Sequence, residues 1–206
     1  ITHIQAYLYQ KKEWSPYQEG AFAPALCNRI DRNTGGIVIA AKTAEGLRVM
    51  NQKIRDRELK KYYLCIVHGT LPRPAGRLEG YILKDEAKKQ VTVSSRPRPG
   101  AKTAVTLYET LAVRNGLSLV RCQLITGRTH QIRAQFAAAG HPLLGDGKYG
   151  SERQNKRYGR SYQALYSYRL EFCFTTDAGA LAPLDGQQFQ VEQVDFVTEY
   201  FPGFSL

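Results

Sequence analysis

The chain of 206 residues has few of the groups that hold a metal, and no segment long and apolar enough to cross a membrane. Its four cysteines lie far apart, without a Cys-x-x-Cys spacing: Cys27, Cys65, Cys122 and Cys173. A free thiol in an apolar run behaves as a small buried hydrophobe, whereas metal ligation needs clustered ligands. We therefore predict reduced thiols, no metal site and a cytoplasmic protein without a membrane span or signal peptide.

Internal repeats, low-complexity tracts and a Gly-rich phosphate loop are also missing. Hydrophobic residues make up 43% of the chain and aromatic residues 11%, which is ordinary for a globular protein and unlike a disordered one. The length suits one substantial core, so we predict a single domain over residues 1–206. Because the first residue is Ile1 rather than Met, we expect the chain to be a fragment of a longer protein.

Acidic residues are scarce before residue 171, where 29 Lys and Arg face 12 Asp and Glu, a surplus of 17 positive charges. Residues 171–206 reverse this balance with six acids and no Lys or Arg. A body this basic indicates a polyanionic partner. Anionic membrane is the alternative polyanion, but no basic amphipathic helix stands out. The charge pattern therefore favours a nucleic acid.

One carboxylate, Asp31, lies between Arg29 and Arg32 in the segment Asn28–Gly36. Residues 33–36 are turn formers, and the apolar run Ile37–Ala41 that follows is predicted to be a buried strand. The neighbouring guanidinium groups favour the ionised carboxylate, so Asp31 is a credible nucleophile on a loop set by a strand. A structural ion pair at the strand entrance is the more common alternative.

Three segments in order resemble the RluA-type pseudouridine synthases, over about residues 25 to 150. The first matches the family motif His-Arg-Leu-Asp-x-x-Thr-Ser-Gly around Asp31, with substitutions at Asn28, Ile30 and Gly35. The segment Lys61–Gly69 resembles the Lys-x-Tyr strand of the family. The motif Gly-Arg-x-His-Gln-Ile-Arg is intact from Gly127 to Arg133, and Gly140–Asp146 follows it.

The resemblance implies an enzyme that isomerises uridine to pseudouridine in structured ribosomal or transfer RNA, without cofactor or metal. It implies Asp31 as the nucleophile and Arg128 as the arginine that pairs with it. Tyr63 matches a tyrosine that either stacks on the uracil or accepts its C5 proton. We favour proton transfer because the resemblance favours tyrosine over other aromatics here, although a phenol with a pKa of about 10 is a weak base at neutral pH.

Basic residues near the motifs and in the segment Lys84–Lys102 are predicted to contact RNA. The predicted RNA-binding residues are Arg29, Arg32, Lys61, Lys88, Lys89, Arg96, Arg98 and Arg133. For Arg29 the resemblance implies a place in the space that a flipped uridine vacates, and a salt bridge to Asp31 is the alternative. For the Lys84–Lys102 segment the alternative is ordinary solvated surface. We expect His130 and Gln131 to be structural and Ile132 to lie in the core.

Hydrophobic periodicity and turn signals predict the main elements. Helices are predicted over Ala44–Leu59, capped by Thr43, and over Thr129–Ala139; strands over Lys61–Gly69, Val105–Ala112, Leu117–Ile125, Ala164–Phe174 and Phe189–Val197; a type I′ turn at Asn115-Gly116; and an exposed loop over Ser151–Arg160. Hairpins mixed with a few helices predict an α+β fold. The resemblance implies a central mixed, mostly antiparallel sheet with flanking helices and a catalytic cleft across it.

Two other classes of protein would explain the charge. One is a catalytically silent RNA-binding protein on the same fold, which would not need Asp31, Tyr63 and Arg128 together. The other is a metal-dependent nuclease, which would need several acids converging on a metal, and Asp31 has no acidic sequence neighbour. The sequence therefore favours the enzyme, which we expect to be a monomer.

Overall fold

The computed structural model describes all 206 residues. In chain order the elements are α1 (Thr2–Gln10), β1 (Ala25–Leu26), β2 (Gly35–Gly36), β3 (Ala40–Ala41), α2 (Ala44–Arg55), β4 (Leu59–His68), β5 (Ala75–Asp85), β6 (Gln90–Ser94), β7 (Lys102–Arg114), β8 (Leu117–Leu124), α3 (Gln131–Ala138), α4 (Glu152–Arg157), β9 (Leu165–Phe172), a 3-10 helix (Gly179–Leu184), β10 (Gln188–Gln190) and α5 (Asp195–Tyr200). None of the helices has the length and apolarity needed to cross a membrane.

The chain divides into two compact units. The first unit consists of residues 1–30, 37–60 and 171–189, and the second unit of residues 31–36, 61–170 and 190–206. The expectation of a single domain over residues 1–206 stays a prediction.

Antiparallel pairing dominates the large sheet, whose strand order is β10-β9-β4-β8-β7-β5-β6. The pairs β4–β8, β8–β7, β7–β5 and β5–β6 are antiparallel, and the short β2 joins β9 in parallel. Sheet and helices together confirm the predicted α+β fold with a mixed, mostly antiparallel sheet. The predicted hairpin also forms, because Asn115 and Gly116 adopt φ of 51° and 75°, as a type I′ turn requires.

In the first unit, α2 begins where the sequence predicts. The Thr43 hydroxyl accepts a hydrogen bond from Gly46 N at 3.0 Å and so caps the first turn. The helix ends at Arg55, short of the predicted Leu59, and Arg57 adopts a left-handed φ of 62° two residues later. Leu59 instead begins β4, so the end of the predicted helix was wrong by one turn.

The predicted strand Ile37–Ala41 is mostly wrong. Only β3 pairs, with β1, and the register joins Ala25 to Ala41 and Leu26 to Ala40. The Asn28 side chain accepts the Ile39 N–H at 2.7 Å, so a side chain takes the place of the next strand partner. The run before β3 is therefore irregular, and Val38 is exposed.

In the second unit, the strand predicted over Lys61–Gly69 is confirmed as β4, whose side chains alternate between two cores. Tyr63, Cys65 and Val67 pack in a cluster with Ile132 and Phe136 of α3. Leu64 and Ile66 pack in the other cluster with α5 residues. Strand β4 therefore sets Tyr63 on the same face as α3.

Two predictions toward the C-terminus were wrong. The segment Ser151–Arg160 holds α4 instead of only a loop, and its Asn155 is buried. In the segment Phe189–Val197 the strand β10 ends at Gln190 and α5 begins at Asp195, because Phe196, Val197 and Phe201 bury one helical face.

All four cysteines are free, as predicted. The thiols of Cys65 and Cys122 lie buried side by side, with their Sγ atoms 3.7 Å apart. No group of three or more His, Cys, Asp or Glu side chains is arranged to hold a metal ion.

Candidate active site

The turn that carries Asp31 is built from backbone constraints. Thr34 N donates to the Asp31 carbonyl at 3.0 Å, and Asn33 has a left-handed φ of 65°. Gly36 follows with φ of 111°, and a Cβ there would lie 2.2 Å from the Ser167 carbonyl oxygen. Only glycine fits this close approach of β2 to β9, and the approach fixes where the turn leaves the sheet.

A buried glutamine, Gln163, ties the same turn to the chain just before β9. Its Nε2 donates to the Arg32 carbonyl at 2.6 Å and to the Thr34 hydroxyl at 3.2 Å. These bonds hold both residues that flank the turn at Asn33. Sequence reasoning missed Gln163, and it lies outside every motif that was recognised.

The partner of Asp31 is Arg133, in the first turns of α3. Arg133 Nη1 donates to Asp31 Oδ2 at 3.2 Å. Its Nε and Nη2 donate to the two carboxylate oxygens of Asp146, at 2.7 and 2.9 Å. Arg133 therefore grips Asp146 with a two-bond fork and uses a third donor for Asp31, which the planar guanidinium allows.

This arrangement corrects the predicted pairing of Arg128 with Asp31. Arg128 does not pair with Asp31: its Nε donates to the Thr103 carbonyl at 3.0 Å. His130, which lies between Arg128 and α3, has a left-handed φ of 51°. Arg133 is buried and uses three of its donors for Asp146 and Asp31, and the RNA contact predicted for it stays a prediction.

The Arg133–Asp146 pair stays charged although it is buried. Burial by itself would raise the pKa of Asp146, but the hydrogen bonds and charge of Arg133 and the N–H groups of Lys148 and Tyr149 outweigh it and lower that pKa. Burial likewise opposes the charge of Arg133, but Asp146 and then Asp31 raise its pKa. Sequence reasoning assigned no role to Asp146, although the segment Gly140–Asp146 directly after the intact motif pointed to it.

Asp31 is held on one side only. Its Oδ2 accepts from Arg133, whereas within the second unit its Oδ1 accepts no hydrogen bond. The side chain is 22% exposed, in contrast to 0% for Asp146. The arrangement thus presents a carboxylate with one oxygen fixed and one oxygen free, which suits a nucleophile.

Tyr63 lies within electrostatic reach of Asp31. Burial raises the pKa of the Tyr63 phenol, a hydrogen bond with Ser167 opposes the rise, and the negative charge of Asp31 adds to it. The phenol is therefore protonated at neutral pH. Its aromatic ring packs with Ile132, which is buried in the core as predicted.

His130 and Tyr149 form a second polar pair beside Arg133. His130 Nδ1 and the Tyr149 hydroxyl are 2.9 Å apart, and Val91 N donates to that hydroxyl at 2.8 Å. The Arg133 guanidinium lies 5.3 Å from the centre of the Tyr149 ring, which is a cation–π distance. Burial is the largest influence on His130 and lowers the pKa of its imidazole.

The structural role predicted for Gln131 is confirmed. Its side chain donates to Val105 O at 3.0 Å and to Thr106 Oγ1 at 2.9 Å, and it accepts from Arg128 N at 3.0 Å. Gln131 thereby fastens the start of α3 to β7. The structural role expected for His130 stays a prediction.

Six of the predicted RNA-binding residues lie exposed at the surface: Arg29, Arg32, Lys88, Lys89, Arg96 and Arg98. Lys61 is half-buried, and burial lowers the pKa of its ammonium group. Their contact with RNA stays a prediction.

Comparisons with known proteins show the family to which the chain belongs. The family model described as RNA pseudouridylate synthase matches residues 3–138. The chain belongs to the RNA pseudouridylate synthase family, which confirms the resemblance that the motifs predicted. Asp31, Tyr63 and Arg133 lie inside the matched span, and Asp146 lies beyond it.

Curated relatives are similar over most of this chain. An uncharacterized RNA pseudouridine synthase of Mycoplasma genitalium is 38% identical over 73% of this chain and 47% of its own length. The ribosomal large subunit pseudouridine synthase D of Zymomonas mobilis is 31% identical over 87% of this chain and 54% of its own length. The chain thus spans about half the length of the curated relatives it matches.

Solved structures share the fold. Human RNA pseudouridylate synthase domain containing 4 aligns with a TM-score of 0.72, at 22% identity, over 95% of this chain and 80% of that one. Human RNA pseudouridylate synthase domain containing 1 aligns with a TM-score of 0.65, at 20% identity, over 86% of this chain and 79% of that one.

Proposed function

We propose that this chain is the catalytic part of an RNA pseudouridine synthase in which Asp31 is the nucleophile. The observation that carries the proposal is the half-held carboxylate of Asp31, with Oδ2 fixed by Arg133 at 3.2 Å and Oδ1 free. Asp146, by contrast, has both carboxylate oxygens bonded to Arg133 and is fully buried. We also propose that residues 1–206 act as one catalytic domain and as a monomer.

The chemistry requires no net oxidation or reduction. The N1–C1′ bond of uridine breaks, a C5–C1′ bond forms, the hydrogen on C5 leaves as a proton and N1 gains a proton. Asp31 would attack the nucleotide and hold one fragment while the uracil turns. Arg133 would hold the carboxylate through Oδ2 and so orient Oδ1 for attack, because a charge-assisted hydrogen bond fixes the geometry of its acceptor.

Tyr63 has two candidate roles in this reaction. A phenol that is protonated at neutral pH is a poor acceptor for the C5 proton, and the raised pKa of Tyr63 makes this worse. Once the phenol has lost its own proton, however, the same raised pKa makes the phenolate a stronger base. We propose that the ring stacks on the uracil, and we retain proton transfer as the role to be tested.

The substrate class that we propose is structured ribosomal RNA, and transfer RNA is the alternative. Two relatives are named as ribosomal large subunit pseudouridine synthases, from Zymomonas mobilis and Borreliella burgdorferi. The target uridine must leave its stack, at a cost of a few kcal/mol. We propose that the exposed cations of the Lys84–Lys102 segment, together with Arg29, Arg32 and Lys61, supply binding energy through phosphate contacts.

The test is Asp31→Asn, with Asp56→Asn as the control on an exposed carboxylate. Tritium on uridine C5 is released to water when pseudouridine forms, so release from unmodified ribosomal and transfer RNA transcripts measures turnover. Asn keeps the shape of Asp but is not a nucleophile, so we expect turnover to fall at least ~10³-fold. RNA affinity should stay within a few fold, and the control should match the wild type.

A variant that keeps more than a tenth of wild-type turnover would remove Asp31 from the mechanism. A wild-type chain that binds RNA tightly and releases no tritium from any transcript would instead favour the catalytically silent RNA-binding protein.

A further inference from the structure

Helix α4 has one buried side chain, that of Asn155. The other side chains of this six-residue helix are exposed, and Lys156 pairs with Glu152 on the outer surface. A polar side chain that is buried alone needs partners, because an unmet hydrogen bond in the interior costs stability. The partners of Asn155 therefore show what the helix is fastened to.

Asn155 makes three hydrogen bonds to two different segments. Its Oδ1 accepts from Gly145 N at 2.9 Å and lies 3.1 Å from His68 Nε2 at the end of β4. Its Nδ2 donates to the Asp146 carbonyl at 3.3 Å. The backbone partners fix the amide orientation, since a backbone N–H donates only and a carbonyl accepts only. His68 must then donate from Nε2, which defines its tautomer when it is neutral.

The two backbone groups that Asn155 holds belong to Gly145 and Asp146. Asp146 is the residue that grips Arg133 through two bonds of 2.7 and 2.9 Å, and Arg133 holds Asp31 at 3.2 Å. A continuous chain of hydrogen bonds thus runs from α4 to the free carboxylate. A shift of the Asp146 backbone would move the Arg133 guanidinium, and with it the Nη1 group that orients Asp31.

We infer that Asn155 is a positioning residue for the catalytic carboxylate, acting through the Asp146 backbone and the Arg133 guanidinium. The inference rests on the proposed function, because it assigns Asn155 to the aim of the same Asp31. Asn155 touches neither substrate nor the reacting atoms. Its contribution is to keep the fork at one distance from Asp31, and misplacement of about 1 Å can slow a reaction ~10²-fold.

The first experiment compares Asn155→Ala with Gln154→Ala, its exposed neighbour on the same helix. Single-turnover tritium release and RNA affinity are measured at a temperature at which circular dichroism shows both variants folded. We expect Asn155→Ala to slow the single-turnover rate ~10–100-fold with RNA affinity within twofold of the wild type. Gln154→Ala should match the wild type in both. A role in folding alone would lower the melting temperature and leave the rate of the folded protein unchanged.

The second experiment asks whether Asn155 acts through Asp146. Residues that act through one path are not additive, so Asn155→Ala should slow an Asp146→Asn background by less than twofold. Independent action would multiply the two losses. The pair His68→Leu and His68→Gln tests the hydrogen bond to Asn155 Oδ1 without altering α4. Leu removes the donor to Asn155, and Gln should restore most of the lost rate.

The outcomes separate the inference from the function on which it rests. A wild-type chain without turnover on any RNA defeats the proposed function. An active wild type in which Asn155→Ala and His68→Leu keep the full single-turnover rate overturns the inference. Full multiplication of the Asn155→Ala and Asp146→Asn losses also overturns it. If Asn155→Ala does not fold, His68→Leu and His68→Gln decide the question.

Discussion

The chain contains two buried ion pairs, one in each unit. They differ in whether a carboxylate oxygen near the pair is left without a hydrogen bond. In the first unit Lys53 donates to Glu58 Oε2 at 2.7 Å, to the Thr176 carbonyl at 2.6 Å and to the Thr176 hydroxyl at 2.7 Å. Glu58 Oε1 accepts from the hydroxyls of Thr175 and Thr176 at 2.8 Å each. All three ammonium protons and both carboxylate oxygens are therefore used.

In the second unit, Asp146 has both carboxylate oxygens bonded to Arg133, whereas Asp31, which Arg133 also contacts, has one oxygen free. Arg133 and Asp146 are joined by two hydrogen bonds, and Arg133 has a further donor that reaches Asp31. Oδ1 of that second carboxylate accepts no hydrogen bond within its unit. A buried pair by itself is weak evidence for function, because many serve only to satisfy each other. The free Oδ1 of Asp31 is the feature that this pair has and the pair in the first unit lacks.

The largest expected effect comes from loosening the open pair with Arg133→Lys. Lysine keeps the charge but has no planar fork, so it cannot hold Asp146 with two bonds and also reach Asp31. We expect single-turnover tritium release to fall ~10²–10³-fold, as for the loss of one fixed donor at a reacting charge. Arg121→Lys, at an exposed pair with Glu109, is the control. Equal rates for the two variants would mean that the open pair is not part of the mechanism.

Tyr63→Phe tests whether Tyr63, beside Asp31, stacks on the uracil or accepts its C5 proton. If the ring only stacks on uracil, the Phe variant keeps it and should retain most turnover. If the phenol oxygen takes the C5 proton, its loss removes a general base worth ~10²–10⁴-fold in rate. Single-turnover release by Tyr63→Phe and Tyr63→Leu separates the two roles. Loss in Leu but not in Phe assigns stacking, and loss in both to the same extent assigns proton transfer.

Lys53→Met breaks the closed pair and should affect stability instead of turnover. Removing one partner of a buried pair leaves Glu58 without its principal donor, so we expect the melting temperature to fall by roughly 10 °C. Turnover at low temperature should stay within twofold of the wild type. Lys42→Met is the control, because its pair with Glu13 is exposed and contributes little. A turnover loss as large as that of Arg133→Lys would end the distinction between the two pairs.

Cations without a carboxylate partner should show their role in the salt dependence of RNA binding. The set to neutralise is Lys88, Lys89, Arg96 and Arg98. Each phosphate contact contributes about 0.7–0.9 to the slope of log affinity against log salt, so losing all four should flatten it by up to about 3. The control neutralises four exposed cations outside the predicted set: Lys11, Lys12, Arg55 and Arg57. An unchanged slope would mean that the Lys84–Lys102 segment is ordinary solvated surface.

The smallest effect should be a pH dependence that comes from the closed pair. The hydrogen bond from Lys53 is the main cause that lowers the pKa of Glu58 from 4.5 to about 2, against the opposing effect of burial. Because the folded-state pKa is depressed, this stabilisation is present above pH 4.5 and is lost as the pH falls toward 2. Glu58→Gln should flatten the free energy of unfolding against pH in that window, and Glu86→Gln at an exposed pair should not. Parallel curves for Glu58→Gln and the wild type would contradict the assignment.

Local sequence signals predicted the elements that local chemistry determines. Thr43 caps α2, Asn115-Gly116 turns the β7–β8 hairpin, and the apolar run from Lys61 lies in β4, because each depends on capping, dihedral preference or hydrophobicity within a few residues. The run Ile37–Ala41 failed as a strand because a side chain eleven residues away, Asn28, took the hydrogen bond of Ile39. The predictions were also wrong for the end of α2 and for the segments that form α4 and α5. In these cases burial against other segments of the chain decided the structure.

The candidate active site likewise has features that local sequence determines and others that it does not. The sequence by itself determined that Asp31 lies in a glycine-bounded turn, that Tyr63 lies on an apolar strand, and that the intact motif brings an arginine to the start of a helix. Only the tertiary structure decided that Arg133 and not Arg128 meets Asp31, since Arg133 lies between Asp31 and a carboxylate 13 residues further along, and Arg128 meets the Thr103 carbonyl. Residue types and turns can be predicted from short segments of the sequence. The pairing of charges is set where distant segments meet, because hydrogen bonds and ion pairs act over a few ångströms of space, whatever the separation along the chain.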